Sequence, residues 1–168
     1  LRGGNAPPNA LYALWSGAND YLFFGAVDAN AVVGNIASAI QRLYALGARH
    51  FLIPNLPDMG LAPILPPEAK PWYSQLTSNH NLALHYALNS LEGSLPGVKF
   101  ARVDVYTRTY TLLSSNTVQN FPPGLDYLAQ GASSCLFYGP ANCPSVDLEA
   151  PLPPLMFWDA LPPSTYSH

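Results

Sequence analysis

Leu11-Tyr12-Ala13-Leu14-Trp15-Ser16-Gly17-Ala18-Asn19-Asp20 is the stretch on which the fold turns. A short apolar run stops there at a small polar turn. A run of that length, bounded by a turn, fits a strand buried on both faces, as in a parallel sheet. In open α/β sheets ligands sit at the carboxyl ends of such strands, so the turn lies where chemistry is expected. Gly17 permits a tight turn and close backbone approach. Asn19, two residues on, offers an amide donor that can stabilise an oxyanion. The competing reading is structural: Asn19 and Asp20 only cap the next segment or close an Asx-turn.

Working outward, the pattern repeats. Asp28 is a good N-cap, and Val32, Val33, Ile36, Ile40, Leu43 and Tyr44 recur at helical spacing between Ala29 and Leu46. Gly47 then supplies a left-handed stop. A second strand is expected at His50–Pro54, carrying Phe51, Leu52 and Ile53. Strand, helix and strand in this order predict a right-handed crossover between parallel strands. A further helix spans about Trp72 to Leu95, striped by Leu84, Leu88, Leu91 and Leu95 and ended by Pro96-Gly97. Val98–Val105 reads as a third strand, with Asp104 near its end, and Tyr106–Ser115 as a short helix. Two long loops, Asn55–Pro71 and Asn116–Pro154, have the length at which a connection in a compact domain is usually functional. The apolar run Leu155–Trp158 closes on Asp159.

Composition narrows the function classes. A chain of 168 residues with no internal repeat is expected to form one domain with a sizeable core. Charged residues make up 10% and apolar ones 49%, which argues against disorder, and 18 prolines argue for ordered loops. The net charge of −3, with seven scattered Lys and Arg, gives no electrostatic footprint for nucleic acid. No apolar run approaches the roughly 20 residues of a membrane span. Cys135 and Cys143 lie in a Pro- and Gly-rich segment without zinc or redox spacing. They are expected to pair as a disulfide, which would suit a secreted or periplasmic protein; two free thiols are the alternative.

Metal and nucleotide sites find no support. His80 and His85 are five apart on the same helix, about 140° around its axis, and read as surface or core-edge residues. His-Glu-x-x-His, glycine-rich nucleotide loops and a Gly-x-Ser-x-Gly elbow are absent. What holds together is a set of polar residues at predicted strand ends: Asn19, Asn55, Asp58, Asp104 and Asp159. That clustering fits the rim of an α/β active site, although Asn and Asp are also common turn formers.

Four segments together resemble the GDSL, or SGNH, family of serine esterases and lipases. Trp15-Ser16-Gly17-Ala18-Asn19-Asp20-Tyr21 is similar to that family's Gly-x-Asn-Asp block. Leu43 to Pro57 resembles its helix-into-strand segment, and His80-Asn81-Leu82-Ala83-Leu84 the Asn-bearing helix that follows. Phe157-Trp158-Asp159 looks like the start of its last block, Phe-Trp-Asp-x-x-His-Pro-Thr. The resemblance implies a three-layer αβα sandwich with a parallel sheet, acting without cofactor or metal on a small-molecule or lipid ester through a serine acyl-enzyme. It says nothing of oligomeric state. Gly17 and Asn19 match the block whose Asn side chain donates to the oxyanion. Asp159 matches the acid that orients the catalytic histidine.

Two departures accompany the match. No Gly-Asp-Ser occurs in the chain, and the family places this nucleophile block, with a further oxyanion glycine, before Gly-x-Asn-Asp. Residues 1–168 are therefore expected to form a single SGNH-like domain that is incomplete at its N-terminus. The position of the catalytic histidine, three after Asp159, is Pro162, and proline cannot accept a proton. His168 matches a second histidine that often follows in the family and is the remaining candidate base; the alternative is a terminal residue with no role. The segment alone is expected to be inactive. The rival function is that of a non-catalytic binding or structural protein that keeps the fold.

Overall fold

Parallel pairing of three short strands organises the described part of the chain. A computed structural model describes residues 4–62 and 65–114. Strand β1 (Leu11–Ala13) lies beside β2 (His50–Pro54), which lies beside β3 (Lys99–Val103), all parallel and in the order β1-β2-β3. The register sets Tyr12 against Phe51 and Phe51 against Phe100. Their three rings form one row, with centroids 5.9 and 5.6 Å apart. The sheet, most of the helices and both core clusters belong to one compact unit, Leu1–Met59 with Trp72–Tyr110. In the other unit, Leu65 N–H donates to Ala62 O at 3.2 Å and Ala69 N–H to Pro66 O at 3.0 Å.

The crossovers explain the layering. Helix α2 (Ala29–Ala45) joins β1 to β2, and α3 (Lys70–Ser94) joins β2 to β3. Right-handed crossovers that step twice in the same direction place both helices on the same face of the sheet. The core agrees: Val33, Ile36 and Ile40 of α2 and Leu84, Leu88 and Leu91 of α3 share one cluster with Phe51 and Ile53. Ile40 and Phe51 are fully buried, each contributing about 1.5–3 kcal/mol of transfer free energy. The opposite face presents Leu11, Ala13, Leu52 and Ala101, half-buried to exposed, with Leu11 at 61%. So β1 is not buried on both faces, contrary to the reading of its apolar run. It is the edge of the described sheet, and only Tyr12 and Leu14 turn toward the core.

Local signals set the helix ends. Asp28 caps α2, accepting from Asn30 N–H at 2.9 Å. Gly47, at φ 117°, ends it where any Cβ would lie 2.5 Å from the Ala6 carbonyl oxygen. Pro71 falls in the first turn of α3, the place where a helix tolerates proline. A five-residue helix, α1 (Ala18–Leu22), follows the β1 turn, and α4 (Val105–Ser114) follows β3. No described helix is long and apolar enough to cross a membrane.

Candidate active site

The polar turn after β1 and the loop after β2 meet in a cleft at the carboxyl ends of these strands. It encloses about 220 Å³ and is lined by Trp15, Ser16, Gly17, Ala18, Asn19, Leu56 and Pro57. Leu14 N–H extends the ladder to Leu52 O at 3.0 Å, and the Trp15 indole N–H reaches Asn55 O at 3.2 Å. The chain then turns sharply at Gly17, whose φ of 116° suits only glycine. Gly17 is the N-cap of α1 and has no side chain to bond there. Its carbonyl accepts from Asp20 N–H at 3.1 Å, and the Asn19 carbonyl accepts from Phe23 N–H at 3.0 Å. The Asn19 side chain is exposed at the cleft and makes no hydrogen bond to the described residues. It neither caps α1 nor closes an Asx-turn.

One face of α3 holds both loops in place. Thr77, His80, Asn81 and Leu84 are three or four residues apart and project the same way. Asn81 grips Leu56 from both sides, accepting its N–H at 2.9 Å and donating to its carbonyl at 2.9 Å. Thr77 Oγ1 accepts from Met59 N–H at 3.1 Å and donates to Tyr73 O at 2.8 Å. His80 lies under the other loop: a Cβ on Gly17 would fall 2.6 Å from its Cε1. Its Nδ1 shares a 2.7 Å hydrogen bond with Tyr21 Oη, while its Nε2 has no partner among the described residues.

His80 is therefore not a surface or core-edge residue, as its spacing from His85 suggested, but fully buried. Burial lowers its pKa to about 4 against a small opposing effect of Asp20, so the ring is neutral near pH 7. Burial, then Asp20 and Asp28, push the Tyr21 phenol up to about 12. His85 is exposed and accepts from Asn89 Nδ2 at 3.0 Å. A usable signal for His80 existed, since it stands four residues before Leu84 on the buried stripe.

Of the other strand-end residues, Asn55 and Asp104 serve the backbone. Asp104 accepts from Thr107 N–H at 3.1 Å at the start of α4 and from Asn55 Nδ2 at 3.0 Å. The Asn55 and Thr107 hydrogen bonds hold the Asp104 carboxyl below its usual range. Asn55 Oδ1 in turn accepts from Tyr106 N–H at 2.9 Å. Neither lines the cleft; both border a separate hollow of about 140 Å³ with Asn81 and Arg102. Asp58 is buried. The structure thus brings Gly17 and Asn19 together at one cleft, whereas Asp159, His168, Cys135 and Cys143 lie outside the described residues. No cluster of three His, Cys, Asp or Glu that could hold a metal occurs among the described residues.

A family model described as GDSL-like Lipase/Acylhydrolase matches residues 2–168. The chain belongs to this family. Among curated relatives, a GDSL esterase/lipase of Arabidopsis thaliana is 26% identical over 182 aligned positions, covering 95% of this chain and 48% of that protein. A GDSL lipase of Tanacetum cinerariifolium is 26% identical over 142 positions, covering 79% of this chain and 37% of that protein. A phosphatidylcholine-sterol acyltransferase of Aeromonas hydrophila is 44% identical over a shorter span of 59 residues, 33% of this chain and 18% of that protein. The chain thus spans at most about half the length of these three relatives.

Proposed function

We propose that this chain is the part of a serine ester hydrolase that carries its asparagine oxyanion donor. The observation that carries the reading is the Asn19 amide, without a hydrogen bond to any other described residue and exposed in a cleft at the carboxyl ends of β1 and β2. Gly17 sets the turn that delivers it. The reaction is hydrolysis of a carboxylic ester through a serine acyl-enzyme. Asn19 stabilises the negative charge that develops on the carbonyl oxygen, and Asp159 orients the histidine that moves the proton. Trp15, Leu56 and Pro57 give the cleft an apolar wall suited to the acyl part of a small-molecule or lipid ester. Residues 1–168 form a single αβα domain in this reading. Secretion, with Cys135 and Cys143 paired, is part of the same proposal.

Pro162, where the family has its catalytic histidine, favours a second reading, a non-catalytic descendant that binds rather than cleaves. The absence of Gly-Asp-Ser from this chain gives the same expectation for the segment alone: no turnover, with His168 not serving as base. The experiment joins the chain to a Gly-Asp-Ser-bearing segment of its parent protein and measures p-nitrophenyl butyrate hydrolysis with and without Pro162→His. The hydrolase reading expects Pro162→His to raise a phosphonate-sensitive rate, and Asn19→Ala to lower it roughly 10²–10³-fold. No rise with Pro162→His, and no response to Asn19→Ala, would favour the binding protein.

A further inference from the structure

Helix α1 has five residues, too few to hold a position by its own hydrogen bonds. Yet a hydrogen-bond donor to an oxyanion must be fixed before the charge develops. Something outside α1 must supply that rigidity. Both ends of the helix rest on the same side chain. At its start, Gly17 lies so close to the His80 ring that a Cβ would come within 2.6 Å of Cε1 and 3.3 Å of both ring nitrogens. At its end, Tyr21 meets the same ring edge-on, centroids 5.6 Å apart and planes at 90°, and shares the 2.7 Å hydrogen bond with Nδ1. Asn19 sits midway between these two attachments.

We infer that the buried His80, locked by Tyr21, is a positioning residue that fixes the direction in which the Asn19 amide enters the cleft. The inference rests on the reading of Asn19 as an oxyanion donor. His80 is fully buried and does not line the cleft, so it acts through Gly17 and Tyr21 and not on substrate. The imidazole has a feature that packing alone would not select. Its Nε2 is buried with no partner among the described residues, a cost that an apolar ring of similar shape would avoid. What an apolar ring lacks is the Nδ1 bond to Tyr21. Asp20, on the same short helix, is the charged group that acts on both His80 and Tyr21, and Asp28 acts on Tyr21 alone.

The test uses the full-length protein carrying Pro162→His. Tyr21→Phe keeps the ring packing and removes only the bond to Nδ1. We expect kcat on p-nitrophenyl butyrate to fall roughly tenfold with KM within about twofold, because a small misplacement of a catalytic group slows the chemical step. The Asn19 side-chain amide cross-peak in a ¹⁵N–¹H spectrum, assigned by its loss in Asn19→Asp, should move or split. Ile40→Val, in the other core cluster, should lower stability and leave both readouts unchanged. An unchanged kcat in Tyr21→Phe, or a loss carried by KM alone, overturns the inference. If neither the wild-type protein nor its Pro162→His variant hydrolyses an ester, the hydrolase reading fails by itself and the cross-peak decides: displacement supports positioning, and an unmoved peak overturns it.

Discussion

Replacing Gly17 with alanine tests the geometry on which the site depends. Two costs add. Alanine must adopt φ 116° and ψ −33°, a conformation open to glycine and costing other residues about 1–3 kcal/mol. Its methyl would also stand 2.6 Å from His80 Cε1, in a ring that the Tyr21 bond prevents from swinging away. Overpacking of this kind costs about 1–3 kcal/mol. The lower entropy of the unfolded alanine chain offsets about 0.4–1 kcal/mol. The net loss is about 1–5 kcal/mol, a large part of the ~5–15 kcal/mol that holds a domain together. With a urea slope of about 2 kcal/mol/M, the unfolding midpoint should fall by about 0.5–2.5 M. Tryptophan fluorescence follows this directly, since Trp15 stands two residues away. Gly34→Ala is the control: Gly34 lies inside α2 with nothing within 4 Å of an added Cβ, so alanine there should stabilise by about 0.5–1 kcal/mol. A Gly17→Ala midpoint within about 0.3 M of wild type would refute the close contact.

Two further outcomes are expected. Because the His80 pKa falls from 6.5 to about 4 on folding, the unfolded chain takes up the proton first as pH drops. Its contribution to stability is present above pH 6.5 and is lost as pH falls toward about 4, amounting to about 2 kcal/mol between pH 7.5 and pH 5. Urea titrations at these two pH values should show that difference shrink in His80→Gln; an equal pH dependence in the variant would count against a neutral buried ring. Asn81→Ala removes both bonds to the Leu56 backbone and should destabilise by about 2–3 kcal/mol. A loss below about 0.5 kcal/mol in the same titration would show that the loop is held by other contacts.

Much of the frame was legible because its signals are local. The stripe Val32, Val33, Ile36, Ile40 marked α2, Asp28 capped it and Gly47 stopped it, all within one segment. Strand β2 has its expected bounds, His50–Pro54, while β1 is shorter than the apolar run that marks it: Leu14 and Trp15 are as apolar as the strand, but the last residue in register with β2 is Ala13. The strand-end polar set looked like one group and is two. Asn55 and Asp104 are consumed by the start of α4, whereas the Asn19 amide bonds to none of the described residues. No sequence pattern separates them, because the difference lies in which backbone donors stand within reach. His80 was misplaced because only its relation to His85 was weighed, and its partner Tyr21 is 59 positions away.

The sequence by itself determined the alternation of strands and helices, the parallel sheet and the family, through periodicities and motifs that act over a few residues. It also placed Gly17 and Asn19 at a strand end. Only the tertiary structure decided what the turn rests on. Glycine is needed at position 17 because of a backbone angle and because a ring from α3 occupies the space of a Cβ. That ring is held by Tyr21 from the helix it supports. Such closure joins segments 59 positions apart in the chain, beyond the reach of any local pattern.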